Sequence, residues 1–312
     1  MEAATAAPVI VADGLARSFG GVDVVRDASL AVHAGEITAL VGPNGSGKTT
    51  LLLMLATLLA PDRGTVRIAG HDAASDPASA RAALGWMPDA LGSWPTLTVR
   101  ETLVAVCGMY GIRGAAAEGR VAELLALADL DGLAAQQTRT LSRGQKQRLS
   151  LARAVAHGPR ALLLDEPAAG LDPAARLAQR DLLRRLASEG TAILVTSHVL
   201  DELDELASNV VFLHDGSTSP TAVVEAALRP GRSWRIRALD AGALHAALAQ
   251  LGVTAETRQT LAGTSLTVEL ADEPAAAELL SRLVTLGVPV IGFGPASSAI
   301  EQAFVHLSAE EA

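Results

Sequence analysis

Nine consecutive residues, Gly42 to Thr50, have the composition and order of a phosphate-binding loop. Glycines let the backbone fold back so that several N–H groups point at one anion. A helix starting near Lys48 would direct its positive end at the same anion, and the Lys48 ammonium could reach β- and γ-phosphates. The Thr49 hydroxyl could ligate Mg²⁺. We predict that a nucleoside triphosphate binds along the whole segment, which is Gly42, Pro43, Asn44, Gly45, Ser46, Gly47, Lys48, Thr49 and Thr50.

A second group of polar residues follows two apolar runs that are typical of buried strands. Asp165 and Glu166 come directly after Ala161–Leu164, and His198 follows shortly after Thr191–Thr196. The carboxyl ends of parallel strands carry the chemistry of α/β proteins, so we expect these side chains beside the phosphate loop. Asp165 suits a water-mediated Mg²⁺ contact, Glu166 suits polarising an attacking water, and the imidazole could reach a γ-phosphate. The alternatives are surface acids at a strand end and a structural histidine.

Two more positions could contact a nucleotide. Ser142 is a plausible N-cap for the helical run Lys146–Ala156, and with the Gly144 backbone it would present donors to an anion. Taken alone, these residues are equally typical of a capped helix start. Phe19 lies in a β-rich region, where its ring could either stack on adenine or belong to the core.

The surrounding pattern indicates an α/β protein with separate β-rich and helical parts. Short β-prone runs separated by turns precede the loop: Val9–Ala12, Leu15–Phe19, Val22–Val25, Ala28–Val32 and Ile37–Val41, with another at Thr65–Ala69. Apolar spacing then predicts helices at Val99–Tyr110, Glu118–Leu130, Lys146–Ala156 and Pro173–Ala187.

The C-terminal part differs in composition. Residues 217–232 resemble a linker around a short helix, Ala222–Leu228. Beyond it the pattern predicts Trp234–Leu239 (strand), Gly242–Leu251 (helix), Ala255–Thr260 (strand), Ser265–Leu270 (strand), Glu273–Leu286 (helix) and Pro289–Phe293 (strand). This βαββαβ order predicts a ferredoxin-like α+β domain, with a final helix at Ser298–Leu307. No Cys/His cluster or glycine fingerprint indicates chemistry there.

Composition limits the possible function classes. The 312 residues are 49% hydrophobic and 19% charged, which is typical of a globular chain long enough for two domains. The net charge of −9 argues against binding nucleic acid. The single cysteine, Cys107, favours a reducing compartment. The start lacks signal-peptide features, and Leu51–Ala60 is too short to span a membrane. We therefore expect a cytoplasmic protein without a membrane span, which reaches a membrane only through a partner.

Together these residues resemble the nucleotide-binding subunit of ATP-binding cassette (ABC) transporters, over about residues 8–216. Five motifs appear in family order: GPNGSGKTT, the Asp89 region, LSRGQ, ALLLDEP with AGLD, and TSH. The resemblance implies a cassette at 1–216 with a P-loop ABC ATPase core, an antiparallel β subdomain and a helical subdomain at about 97–158. The linker 217–232 and the accessory domain 233–312 follow.

The resemblance also implies residue roles and partners. Phe19 would stack on adenine, Glu166 would be the general base and His198 the switch histidine. Two cassettes would enclose two ATP molecules head to tail, so the chain should act as a homodimer or with a sister subunit. Ser142 and Gly144 would touch the γ-phosphate held by the partner's loop, and Gln145 would also bind nucleotide. The Mg²⁺ residues would be Thr49, Asp89 and Asp165.

Three positions depart from the family's usual pattern. Asp89 stands where glutamine is common, and it is shorter and adds a charge. Ala169 replaces a frequent serine, and Arg143 replaces a frequent glycine in the signature. Aspartate still suits Mg²⁺ or its water.

We expect an ATPase that powers export of a small hydrophobic compound, such as a drug or antibiotic, through a separate permease at the inner face of the cell membrane. The residues around Asp89 and the run Ile300 to Phe304 are similar to those of drug-exporter ATPases. The alternative is a soluble ABC ATPase acting on nucleic acid or ribosomes, which would want basic surfaces or tandem cassettes. A non-catalytic regulator would be expected to lack Lys48 or Glu166. Ligand sensing, dimer support and packing remain open for the C-terminal domain.

Overall fold

The computed structural model describes residues 7–219, 224, 233–260, 263–298, 300–301 and 303–304. The chain divides into two compact units, Met1–Pro220 and Thr221–Ala312. No helix in these described ranges is long and apolar enough to cross a membrane.

The first unit has ten strands and seven α-helices among its described residues. The strands are β1 (Pro8–Phe19), β2 (Val22–His33), β3 (Ile37–Val41), β4 (Arg63–Ile68), β5 (His71–Asp72), β6 (Leu84–Met87), β7 (Ala161–Leu164), β8 (Ala192–Thr196), β9 (Asn209–His214) and β10 (Ser217–Thr218). The helices are α1 (Lys48–Leu55), α2 (Pro77–Ala82), α3 (Val99–Met109), α4 (Ala115–Leu127), α5 (Arg143–Ala154), α6 (Pro173–Ser188) and α7 (Leu200–Leu206).

Five strands form a parallel sheet that positions the polar residues. Their order is β9-β3-β8-β7-β6, so that β3, β8, β7 and β6 are consecutive neighbours. Every residue of β3, β7 and β8 is buried, as expected for strands covered on both faces. Because these strands are parallel, the segments that follow them meet at one edge of the sheet.

The β-rich N-terminal part differs from its prediction. Instead of four short strands, β1 and β2 are each continuous over 12 residues and pair antiparallel. The predicted breaks correspond to shifts in register, including one between Ala12 and Leu15, because a β-bulge absorbs an extra residue without ending the strand. Strand β4 adds to the other side of β1 and begins at Arg63, earlier than the predicted Thr65.

Helices α3, α4 and α5 contact one another and lie within residues 97–158, where we predicted a helical subdomain. Both α3 and α5 begin with a capping box, formed by Thr98 with Glu101 and by Ser142 with Gln145. Helix α5 therefore starts at Arg143, three residues before the predicted start at Lys146.

The first residues of the predicted linker 217–232 belong to the first unit. Ser217 and Thr218 form β10, which pairs with β9 and β2 of the first unit. The Ser29 backbone N–H also donates to the Thr218 hydroxyl at 2.9 Å. The predicted helix Ala222–Leu228 lies outside the described residues except for Val224.

The second unit contains four strands and two α-helices among its described residues. They are β11 (Ser233–Ala238), α8 (Ala241–Gln250), β12 (Ala255–Thr260), β13 (Gly263–Glu269), α9 (Glu273–Thr285) and β14 (Val290–Pro295). The sheet order is β12-β13-β11-β14, and all pairs are antiparallel. Buried residues of both helices and of β11 and β13 form a separate apolar core. Five of the ten residues of the predicted final helix Ser298–Leu307 lie outside the described residues; of the other five, Ile300, Glu301, Ala303 and Phe304 are helical.

Candidate nucleotide-binding and hydrolysis site

The loop between β3 and α1 is shaped by close backbone approaches. A Cβ on Gly42 would lie 2.1 Å from the Leu213 carbonyl oxygen, and one on Gly47 would lie 2.7 Å from the Val24 carbonyl oxygen. Gly47 also has a φ of 101°, which side chains rarely adopt. The strands on either side of the loop therefore leave room for glycine alone at these two positions.

The loop presents positive groups to one point. Gly47 precedes the first turn of α1 and supplies no side-chain cap, so the first N–H groups of the helix are free to bind an anion. The Lys48 ammonium donates to the carbonyl oxygens of Gly42 at 2.7 Å and Pro43 at 2.9 Å. Burial lowers the pKa of Lys48 below its usual 10.5, while the charges of Glu166 and Asp165 act in the opposite direction.

Two features of this loop fit a triphosphate. The Ser46 hydroxyl is buried and has no hydrogen-bond partner among the described residues. Burying such a group is unfavourable unless a ligand satisfies it. Phosphate oxygens would accept from Ser46, from the Lys48 ammonium and from the N–H groups at the start of α1. Asn44 and Thr49 are exposed in the same segment, and Thr50 is half-buried in α1.

Asp165 and Glu166 lie at the end of β7, and both form hydrogen bonds with Thr196 of β8. The Thr196 hydroxyl donates to Asp165 Oδ1 at 2.7 Å and accepts from the Glu166 backbone N–H at 3.1 Å. Burial raises the pKa of Asp165 above its usual 3.8; the Thr196 hydrogen bond lowers it, and the nearby charge of Asp89 raises it further. The neighbouring ends of β7 and β8 thus form one fixed unit.

The Glu166 carboxylate faces the predicted histidine. His198 Nδ1 lies 2.7 Å from Glu166 Oε1, and the His198 backbone N–H donates to Oε2 at 3.4 Å. Glu166 has a φ of 52°, which is uncommon outside glycine. The Gln147 side chain of α5 donates to the Glu166 carbonyl oxygen at 2.8 Å and stabilises this turn. Glu166 therefore has a defined position with its carboxylate on the same side as His198.

The residue types predicted to bind magnesium suit that ion. Asp89 follows β6, the strand beside β7, and Thr49 is in the first turn of α1. Carboxylate and hydroxyl oxygens are the ligands that Mg²⁺ prefers, and the ion usually combines one or two protein carboxylates with phosphate oxygens. These residue types therefore fit a metal bound together with a triphosphate.

The signature residues Ser142, Gly144 and Gln145 lie elsewhere. Ser142 and Gln145 form the capping box of α5, with Gln145 Oε1 accepting from the Ser142 N–H at 2.8 Å. A Cβ on Gly144 would lie 3.3 Å from the Leu171 side chain. In the described part of the chain, no hydrogen bond or ion pair joins these three residues to the phosphate loop of the same molecule.

Phe19 is not a core residue. Its side chain is 46% exposed at the end of β1, and the Arg17 guanidinium lies 5.0 Å from its ring centroid. The core interpretation is therefore wrong, because an exposed ring contributes little to apolar packing. Adenine stacking stays a prediction.

Sequence reasoning missed Thr196 and Gln147. Thr196 is a polar residue at the end of an otherwise apolar strand, which was the available signal. Gln147 is fully buried on α5, and nothing in its sequence neighbourhood indicates its contact with Glu166. Such contacts join segments separated by 19 to 31 residues, so they depend on the completed fold.

Comparison with known proteins identifies the family. The family model described as "ABC transporter" matches residues 25–169. The daunorubicin/doxorubicin resistance ATP-binding protein DrrA of Streptomyces peucetius is 32% identical over 310 residues, covering 97% of this chain and 93% of that protein. The Nod factor export ATP-binding protein I of Burkholderia orbicola (strain AU 1054) is 38% identical over 213 residues, covering 67% of this chain and 70% of the relative.

Solved structures agree with this assignment. An ATP-binding subunit of an ABC transporter superposes with a TM-score of 0.65 at 27% identity, covering 70% of this chain and 92% of that structure. A dimeric bacterial ABC transporter cassette superposes with a TM-score of 0.62 at 26% identity, covering 68% of this chain and 97% of that structure. The resemblance seen in the sequence is thus confirmed. The chain belongs to the ABC transporter family, as an ATP-binding subunit that hydrolyses ATP.

Proposed function

We propose that this chain powers the export of a small hydrophobic compound, such as a drug or antibiotic, through a separate membrane permease, working at the cytoplasmic face of the cell membrane. One observation supports ATP hydrolysis as the energy source. The ends of three neighbouring parallel strands bring together Lys48, Asp165, Glu166 and His198. Similarity to relatives named for drug resistance and for export supports the direction of transport.

In the proposed hydrolysis, bound ATP supplies the γ-phosphoryl group and Mg²⁺ offsets the charge on its oxygens. Lys48 and the N–H groups of the loop hold the phosphates, while Thr49, Asp165 and Asp89 hold the metal. Glu166 accepts the proton of the attacking water. His198 orients the Glu166 carboxylate through the 2.7 Å contact, and Phe19 offers its exposed ring to adenine.

A second copy of the chain would complete each site. Ser142 is exposed and Gly144 and Gln145 are half-buried, so the start of α5 is open to a neighbouring molecule. Its first N–H groups and the Ser142 hydroxyl suit a γ-phosphate held by the partner's loop. The likeness to a dimeric cassette supports this head-to-tail homodimer.

A groove of about 410 Å³ next to Asp89 suits the permease. It is bordered by apolar side chains, of which Met109 is 69% exposed and Leu58 is 61% exposed, and by Trp86, Trp94 and Tyr110. Exposed apolar surface of this kind typically marks an interaction site. We infer that a cytoplasmic helix of the permease binds here. Movement of that helix would then shift Asp89 and change the metal side of the site.

The charged residues bordering this groove indicate the chemistry of that helix. Arg81 and Arg153 are its only charged lining residues among those described, although the chain as a whole is acidic. Arg153 donates to the Gly92 carbonyl oxygen and lies 5.4 Å from the Trp94 ring centroid. Burial lowers the pKa of Arg153. A permease helix with an apolar face and a carboxylate would complement both arginines.

Co-purification from native membranes tests the partner. We expect the tagged chain to retain a polytopic membrane protein, and Arg81→Glu to weaken that association through charge repulsion. Arg67→Glu, an exposed reversal on β4, is the matched control and should not affect it. Inside-out vesicles containing the pair should accumulate hydrophobic fluorescent drugs when ATP is added. ATPase activity stimulated by RNA or ribosomes, without a membrane partner, would instead favour the soluble alternative.

The second unit is proposed to be a ferredoxin-like accessory domain at 233–312. Its βαββαβ order and antiparallel β12-β13-β11-β14 sheet support this, as does its own apolar core. In this proposal the cassette occupies 1–216 extended by β10, and the domain acts on dimer or permease contacts.

A further inference from the structure

Two positions that depart from the family's usual pattern contact each other. Arg143 Nη2 lies 3.9 Å from Asp89 Oδ1, within salt-bridge distance. Arg143 is the first residue of α5, whereas Asp89 follows β6. The two charges therefore connect the signature segment to the metal side of the site within one molecule.

The position of Arg143 in its helix requires a compensating charge. A cation at a helix N-terminus is unfavourable, because it faces the positive end of the helix dipole. The first turn of α5 contains no acidic residue that could offset it. Asp89 supplies the missing negative charge from another segment.

A backbone approach keeps the Arg143 side chain in place. A Cβ on Gly170 would lie 2.8 Å from Arg143 Cδ and 2.9 Å from its Nε. The side chain therefore passes directly over Gly170, in the loop that follows Glu166. Because Gly170 has a φ of 77°, glycine suits both the conformation and this contact. One side chain thus touches the loop after the proposed base and reaches the carboxylate of Asp89.

Asp89 and Asp165 follow β6 and β7, which are adjacent parallel strands. Two carboxylates at adjacent strand ends repel each other unless a cation balances them. We infer that Arg143 is a positioning residue, which holds the Asp89 carboxylate and balances its charge at the metal side of the site. The inference rests on the proposed metal role of Asp89 and Asp165.

Removal of Arg143 should change metal binding in a defined direction. Arg143→Ala would leave Asp89 with an unbalanced charge that is free to turn towards the metal. We expect the Mg²⁺ concentration that half-saturates binding of the metal–nucleotide complex to fall about two- to fivefold, the range typical of an exposed ion pair. In an Asp89→Asn background the same substitution should have no such effect, because the charge it balances is gone. Arg143→Lys should stay close to the wild type.

The experiment titrates Mg²⁺ into the full chain with a fluorescent, non-hydrolysable ATP analogue and records binding rather than turnover. The set comprises the wild type, Arg143→Ala, Arg143→Lys, Asp89→Asn, Asp165→Asn and the double variant of Arg143→Ala with Asp89→Asn. Arg148→Ala on the same helix is the control, since Arg148 pairs with Asp129 instead. Thermal unfolding of each variant reports whether the fold is intact.

A double-mutant cycle in which Arg143→Ala lowers the Mg²⁺ midpoint about two- to fivefold only when Asp89 is present supports the inference. Additive effects would overturn it. An equal loss of nucleotide affinity in both Asp89 backgrounds would also overturn it and assign Arg143 to the partner's nucleotide. Failure of the proposed metal site is a separate result: Asp165→Asn would then leave the Mg²⁺ midpoint unchanged.

Discussion

At the scale of single residues, the candidate site holds charges that folding alone does not favour. Burial opposes the charged forms of both Lys48 and Asp165, which are the two residues proposed to meet phosphate and metal. Hydrogen bonds and the attraction between these two charges offset this burial only partly, since both pKa values stay shifted towards the neutral form. Phosphate near Lys48 and a metal ion near Asp165 would favour the charged forms. Keeping Lys48 and Asp165 buried and charged therefore lowers the stability of the fold, and it places both groups to bind the nucleotide and its metal.

The raised pKa of Asp165 leads to a pH prediction. Since the folded chain favours the protonated carboxyl more than the unfolded chain does, ionisation of Asp165 reduces the free energy of unfolding. This cost is absent below the unfolded pKa and grows as pH rises through the folded pKa. Asp165→Asn should therefore stabilise the nucleotide-free protein, with a gain that increases as the pH is raised from the usual carboxyl pKa of 3.8 upwards.

Urea unfolding of both proteins across that pH range measures the gain. Asp23→Asn on β2 is the control for the loss of a carboxylate, because Asp23 is exposed. A stability gap for Asp165→Asn that stays constant or shrinks with rising pH would contradict the assignment.

Individual site residues could be predicted where chemistry and position coincide in the sequence. Lys48, Asp165, Glu166 and His198 each follow an apolar run, and the sheet brings those runs together. The contact between Arg143 and Asp89 could not be predicted, since the residues were noted separately and 54 positions divide them in the chain. Only the packing of α5 against β6 brings these two segments together.

At the scale of elements, the sequence predicted the parallel strands and helices better than the antiparallel strands. Buried runs such as Ala161–Leu164 are uniformly apolar and have clear ends. Strands β1 and β2 contain polar residues and bulges, so their sequence is interrupted although their pairing is not. Helix α5 was predicted to begin late, because the capping box places polar residues inside its first turn.

The turn into α1 offers a matched pair of substitutions. Gly45 and Gly47 both have left-handed backbones, with φ of 84° and 101°. An added Cβ meets nothing within 4 Å at Gly45 but lies 2.7 Å from the Val24 carbonyl oxygen at Gly47. Gly45→Ala should cost about 1–2 kcal/mol of stability from backbone strain alone. Gly47→Ala should cost clearly more and displace the start of α1.

Chemical denaturation of both variants, together with ATP-analogue binding, checks this difference. Equal stability losses would show that the contact with β2 does not fix the loop. Unchanged nucleotide affinity in a folded Gly47→Ala protein would also contradict the claim that this close approach shapes the phosphate loop.

At the scale of the whole molecule, the two units have separate cores, and the predicted site residues all lie in the first. A chain ending at Arg229 should therefore fold and bind ATP with near-native affinity. A chain ending at Asp215 is the comparison. This shorter chain lacks β10 and the Gly216 carbonyl oxygen, which accepts from the Arg26 N–H at 2.7 Å. We expect that shorter chain to be markedly less stable.

We would measure nucleotide affinity, dimer formation and export for the chain ending at Arg229. These measurements test whether the second unit is needed for each activity. Impaired assembly or export with intact ATP binding would agree with an accessory role for the second unit. Loss of ATP binding by a folded chain ending at Arg229 would place part of the nucleotide site in that unit.

The central claim is that Glu166 activates water in a site completed by a second copy of the chain. The most direct measurement compares turnover and molecular mass in Mg²⁺ and ATP for the wild type, Glu166→Gln and Lys48→Ala. Glu166→Gln should lose about a hundredfold or more in kcat while still binding ATP, so that a dimer accumulates in light-scattering runs. Lys48→Ala should neither bind ATP tightly nor form that dimer. Wild-type turnover by Glu166→Gln, or an ATP-bound protein that stays monomeric, would contradict the account.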